Sequence, residues 1–204
     1  MATDVEGVTL PGDLLMPEQA SAVVLFAHGS GSSRFSPRNR AVAGRLTDAG
    51  LGALLVDLLT QAEAADRRLV FDIPLLGRRL AALTRSVGEH VTPTTPLGYF
   101  GASTGAAAAL WAAAEPDLPV GAVVSRGGRP DLAADRLSAV RAPTLLVVGG
   151  ADTAVLGLNE QAAHSLRCPW ELAVVPGATH LFSEPGALDQ VADLAIAWFR
   201  RHLT

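Results

Sequence analysis

Apolar residues in this chain come in short unbroken runs rather than in strict alternation. The runs are 22–27 (AVVLFA), 51–56 (LGALLV), 97–100 (LGYF), 120–125 (VGAVVS), 144–148 (TLLVV) and 171–175 (ELAVV). Each predicts a strand covered on both faces. Between them the apolar spacing widens to that of a helix. Leu75, Leu76, Leu80, Leu83 and Val87 predict a helix entered at Asp72, with Pro74 in its first turn. Further helices are expected from Pro37 to Ala49, closed by Gly50, through Ala106 to about Ala114, and over 159–166. Another is expected over about 185–202, with Val191, Leu194, Ala195, Trp198 and Phe199 on one side. A short helix is expected over 131–138. The polar stretch 60–68 predicts loop or a short turn. Near the start, Pro11-Gly12 divides two β-prone pieces, 5–10 and 13–15, and predicts an antiparallel hairpin at a sheet edge.

Strands and helices alternate from end to end, with no linker or low-complexity segment. That order predicts a single α/β domain over 1–204: a mostly parallel central sheet, helices on both faces and right-handed crossovers. In such sheets ligands bind beyond the carboxyl ends of the strands. The residues that follow each strand are therefore the ones to read for chemistry.

Composition narrows the classes. Of 204 residues, 49% are hydrophobic and 18% charged, as in a packed globule rather than a disordered chain. All 16 positive residues are arginine, which excludes a lysine Schiff base or lysine general base. With net charge −4 and no basic run, no nucleic-acid partner is expected. Cys168 is the only cysteine, so no intrachain disulfide forms. No apolar run reaches the ~18 residues of a membrane span. The first residues are acidic rather than basic-then-apolar, unlike a secretory signal. A cytoplasmic protein, monomer or homodimer, is the expectation. No His, Cys or carboxylate pair has metal-ligand spacing, so neither metal nor cofactor is expected.

The strand ends carry a consistent set. Gly101-Ala-Ser103-Thr-Gly105 matches G-x-S-x-G, a sharp strand-to-helix corner that presents the serine hydroxyl. Asp152 follows the strand at 144–148, and His180 follows the strand at 171–175. A serine hydroxyl is a poor nucleophile without an adjacent base. Histidine can take its proton and return it to the leaving group. A carboxylate behind the ring fixes the tautomer and stabilises the imidazolium. The oxyanion needs donors already in place; the amide of Thr104 is one candidate, and the amide of Ser30 the other, with Gly31 as its alternative. His28, Gly29, Gly31, Arg126 and Arg129 are candidate substrate contacts on the same rim. Bland readings stand beside these. Asp152 could cap a helix, Asp57 is a rival acid, His28 could prop its loop, and Arg126 or Arg129 could pair with Asp131. Arg34, Arg38 and Arg40 could meet an anionic substrate or cover a helix face.

Taken together, these stretches resemble the α/β-hydrolase superfamily, and more narrowly the compact dienelactone hydrolase-related serine hydrolases and esterases. His28-Gly29 resembles the oxyanion loop, Gly101–Gly105 the nucleophile elbow, Gly149-Gly-Ala-Asp152-Thr-Ala-Val155 the acid loop, and Gly177-Ala-Thr-His180 the histidine loop. The resemblance implies a Ser103–Asp152–His180 triad acting on small-molecule esters or lactones of small to medium acyl groups. Dienelactone hydrolases proper use cysteine where Ser103 stands, which points to simple esters or lactones rather than dienelactone. With no cap insertion after the strand at 120–125, an open, shallow site is expected. An acyltransferase or perhydrolase using the same triad is the alternative, and a non-catalytic binding protein a more distant one.

Overall fold

The computed structural model describes residues 2–90 and 94–203, without the side chains of 88–90. Its eight strands are β1 (Ala2–Val5), β2 (Val8–Leu15), β3 (Val23–Ala27), β4 (Gly52–Val56), β5 (Leu97–Ala102), β6 (Val120–Arg126), β7 (Thr144–Gly149) and β8 (Trp170–Val175). They form one sheet in the order β1-β2-β4-β3-β5-β6-β7-β8. All pairings from β4 to β8 are parallel, and the two involving β2 are antiparallel.

Among the described residues the α-helices are α1 (Pro37–Asp48), α2 (Arg67–Val70), α3 (Ile73–His90), α4 (Thr104–Ala113), α5 (Thr153–Ala163) and α6 (Ala187–Leu203), and the short helix expected over 131–138 is two 3-10 turns, Pro130–Ala133 and Leu137–Ala139. Strand side chains alternate between the two helical layers. Val23, Leu25 and Tyr99 pack with α3, α4 and α5, whereas Val24, Phe26 and Phe100 pack with α1 and α6. Because both layers are apolar, the inner strands read as continuous runs rather than alternating ones.

One expectation fails. Pro11-Gly12 is not a turn but lies inside β2, which runs unbroken from Val8 to Leu15. The hairpin turn is Glu6-Gly7, both at positive φ (50° and 81°), as a two-residue turn between twisted strands requires. Pro11 marks the point where β2 changes partner. Residues up to Pro11 pair with β1, and those from Gly12 pair with β4. A proline costs least where one ladder gives way to another, since it has no N–H to donate.

The stretch after β4 is anchored by one ion pair. Arg79 of α3, only 4% exposed at its side chain, meets Glu63 through two 2.8 Å hydrogen bonds and the Leu58 carbonyl through one of 2.9 Å. The Arg79 hydrogen bonds hold the Glu63 carboxyl down at about 2, against the smaller opposing effect of its burial. That value lies below the ordinary one of about 4.3. The pair therefore stabilises the fold fully above that ordinary value, and the gain is lost as pH falls toward 2. Glu63→Gln is expected to cost about 2 kcal/mol at pH 7 and to flatten this acid dependence; breaking a fully buried pair costs about 3–5 kcal/mol, and Glu63 is partly hydrated. Urea unfolding of both proteins at several pH values checks this.

Candidate active site

The corner after β5 is built by its glycines. A Cβ on Gly101 would lie 2.4 Å from Ala106 Cα, and one on Gly105 would lie 2.2 Å from the Ala27 carbonyl oxygen. Only glycine lets the start of α4 come that close to β5 and to the end of β3. Ser103, between them, is held at φ 53°, ψ −119°, a conformation that non-glycine residues occupy only under constraint. Its amide donates to the Arg126 carbonyl at 3.2 Å, and its carbonyl accepts from the Arg129 amide at 3.1 Å. Ser103 is the N-cap of α4 and makes no side-chain capping bond. Thr104 opens the helix, where an amide has no carbonyl partner within the helix.

Asp152 stands at the N-cap position of α5 but makes no side-chain capping bond. Its carboxylate instead meets His180 Nδ1 at 2.7 Å. The two loops are also stitched by backbone: the Ala151 amide donates to the Ala178 carbonyl at 2.9 Å. The ring is partly open, 39% exposed, while the acid side chain is 15% exposed. His180 also approaches the β6 side of the corner, because a Cβ on Gly127 would lie 3.5 Å from His180 Cε1.

Asp57, the rival acid, faces the other way. It accepts from the Arg34 amide at 2.6 Å, pairs with the Arg34 guanidinium and lies 3.4 Å from His28 Nε2. Burial pushes its carboxyl up, but the hydrogen bonds from His28 and Arg34 outweigh this and hold it below the usual range. Asp57 thus clamps both ends of the loop 28–34, and the His28 ring, whose Nδ1 also sits 3.0 Å from the Gly29 carbonyl oxygen, is a prop. Gly29 lies against the corner, with space for a Cβ only 3.0 Å from Ser103 Cβ.

The Ser30 amide is already engaged. It donates to the Thr104 hydroxyl at 2.8 Å, which ties the loop to the corner. To act as the expected oxyanion donor, Ser30 has to exchange this partner. Gly31, at φ 68°, lies beside it on the exposed side of the loop. Asp57→Asn removes the charge that clamps the loop and is expected to lower kcat about tenfold with little change in KM. Steady-state kinetics on one ester checks this.

Of the arginines expected on the rim, Arg129 stays beside the corner and Arg126 is buried. Arg129 is held bidentately by Asp131, at 2.8 and 2.7 Å. Arg126 is 7% exposed. β6 runs one residue further than expected, so strand alternation turns Arg126 onto the α1/α6 face. There it lies over Phe182, and its Nη2 is 3.5 Å from Asn39 Oδ1. Burial, and secondarily the charge of Arg38, lower its pKa to about 10. Arg129 thus offers no free cation to a ligand at the corner, and Arg126 is buried on the α1/α6 face. Arg34 pairs with Asp57, and Arg40 with Asp13 at 3.3 Å. Cys168 is buried and donates to the Thr144 hydroxyl; burial pushes its thiol up, and it stands outside the site. Among the described residues, no group of three or more His, Cys, Asp or Glu is arranged to hold a metal ion. Among them, too, no helix is long and apolar enough to cross a membrane.

In the sequence the segment after β4 carries no chemical motif. With the loop 28–34 it encloses a chamber of about 740 Å³, lined by Leu58, Leu59, Ala64, Val70 and Leu76 and reaching Thr104. The available signal is the apolar set Leu58 and Leu59 before the polar stretch 60–68, Val70 after it, and Leu76 in the first turn of α3. The site is therefore not merely a shallow face.

No protein-family model matches the chain. It is similar to the crystal structure of dienelactone hydrolase from Anabaena variabilis, with 53% identity, a TM-score of 0.96, and coverage of 100% of this chain and 97% of that one. It shares its fold with the esterase domain of a Rhodothermus marinus protein, with 21% identity, a TM-score of 0.81, and coverage of 100% and 98%. Two Mycobacterium tuberculosis proteins, provisionally named phosphoribosyl transferases, are 57% identical over 197 residues, which is 96% of this chain and 44% of theirs. The chain thus spans less than half the length of these curated relatives.

Proposed function

Because this chain belongs to the dienelactone hydrolase family of the α/β-hydrolase fold, we propose that it is a serine hydrolase cleaving carboxylic esters or lactones through an acyl-enzyme at Ser103. The observation that carries this reading is the 2.7 Å contact of His180 Nδ1 with Asp152, on the same sheet edge as the constrained Ser103. With Nδ1–H donated to the carboxylate, Nε2 keeps its lone pair for the serine proton.

Ser103 Oγ attacks the carbonyl carbon while its proton passes to His180 Nε2. The oxyanion is received by the Thr104 amide and by a loop amide. Ser30 fills the second role by exchanging the neutral Thr104 hydroxyl for a charged acceptor, which makes the stronger hydrogen bond; Gly31 is the alternative donor. The C–O bond to the leaving group breaks as His180 returns the proton to that oxygen. Water then attacks the acyl-enzyme, its proton going to His180 and finally back to Ser103 Oγ.

Serine where the family's namesakes carry cysteine favours oxygen-ester substrates over dienelactone. The name of the mycobacterial relatives describes proteins more than twice as long, so it need not describe the shared segment. A panel of p-nitrophenyl esters of graded acyl length, with several lactones, tests the reading. Turnover by wild type supports it, and no turnover of any ester or lactone contradicts it. Added alcohol or peroxide separates hydrolysis from acyl transfer, because a transferase yields the new ester or peracid in preference to the acid.

A further inference from the structure

Sheet order places the two halves of an ester. Ser103 follows β5; His180 follows β8 on one side, and the chamber opens beyond β3 and β4 on the other. The leaving-group oxygen has to reach His180 for its proton. The acyl half then extends the opposite way, past Gly29 and Thr104, into the chamber. We propose that this chamber is the acyl-binding site, and that it takes an uncharged apolar acyl group of medium size, branched, aromatic or several carbons long. The proposal rests on the ester-hydrolase reading above.

Three observations support the class. The floor is apolar: Leu58, Leu59, Val70 and Leu76 line it, and Leu58 and Leu76 are almost fully buried. Its volume of about 740 Å³ falls within the range of roughly 300–1,000 Å³ typical of small-molecule sites. The charged groups that border it are already spent on one another. Arg34 lies between Asp57 and Asp13, at 3.5 Å from Asp13 through Nε, and Arg40 also meets Asp13. His28 Nε2 faces Asp57. A carboxylate entering here would lose its hydration and find no unpaired cation, a costly transfer. The polar atoms at the mouth, on Ser32, Ser33 and Gln61, are neutral and suit a carbonyl or hydroxyl at most.

The test compares phenyl esters of three acids: acetic, hexanoic, and adipic with its far carboxylate free. Wild type and Ala64→Trp are measured, Ala64 being an exposed chamber residue where a large side chain fills space without entering the core. Labelling of Ser103 by a small fluorophosphonate is followed in parallel. Each buried methylene is worth roughly fourfold, so kcat/KM for hexanoate is expected to exceed that for acetate by about tenfold or more. It should exceed that for the adipate half-ester by about 100-fold. In Ala64→Trp the hexanoate-to-acetate ratio is expected to fall about tenfold. Equal or better use of the half-ester overturns the proposal, as does a ratio untouched by Ala64→Trp. With Ser103 labelled, either result removes only the acyl assignment. Failure to label Ser103 at all removes the ester-hydrolase reading and this proposal with it.

Discussion

Ser103→Ala is expected to lower kcat on any ester by on the order of 10⁵–10⁶-fold, the loss found when a triad nucleophile is removed, while the protein stays folded. The residual rate comes from the oxyanion donors and from binding, which the substitution leaves in place. Stability is a second readout. Ser103 sits at φ 53°, ψ −119°, and alanine bears the same strain because it too has a Cβ. Ser103→Gly relieves it, so this variant is expected to be as inactive as Ser103→Ala but more stable than it by about 1 kcal/mol. An inactive but stabilised glycine variant separates loss of the hydroxyl from loss of the fold. Thermal unfolding and ester kinetics on the three proteins check both effects.

Asp152→Asn is expected to cost about 10⁴-fold in kcat, far more than the roughly tenfold of Asp57→Asn. The two aspartates follow different strands and hold different partners. Asp152 meets His180 Nδ1 at 2.7 Å, so an amide there leaves the ring free to present its N–H to Ser103 instead of a lone pair. Asp57 is spent on Arg34 and His28 and acts on the chemistry only through the loop it clamps. Asp152→Asn removes the orienting acceptor for the base itself, so it strikes the proton transfer directly. If Asp57→Asn were the more damaging of the two, the acid would have to be reassigned.

The residues proposed for chemistry were readable because each follows a strand that announces itself as an apolar run. Gly101, Gly105 and the alanines after them also mark a corner packed too closely for larger side chains. Asp152 was ambiguous in sequence, since aspartate before a helix is a common cap; only its contact with His180, and the missing capping bond, distinguish the two readings. What sequence could not convey depended on neighbours remote in the chain. Pro11-Gly12 looks like a turn until β2 is seen to exchange β1 for β4 there. Arg126 looks like a rim residue until one further strand residue turns it onto the α1/α6 face. The engagement of Ser30 by Thr104 joins residues 74 positions apart. The chamber wall is harder to read because its apolar residues, Leu58, Leu59, Val70 and Leu76, lie on either side of the polar stretch 60–68, and Arg79, 21 residues from Leu58, ties that stretch to α3.

The nucleophile itself is the most direct thing to measure. Wild-type protein mixed with a p-nitrophenyl ester and quenched within the first turnovers is digested, and its peptides are weighed. The account predicts one acyl adduct, on the peptide containing Ser103, that disappears as substrate is exhausted and never forms in Ser103→Ala. Turnover with no adduct at Ser103, or an adduct on another residue with activity retained in Ser103→Ala, would contradict it.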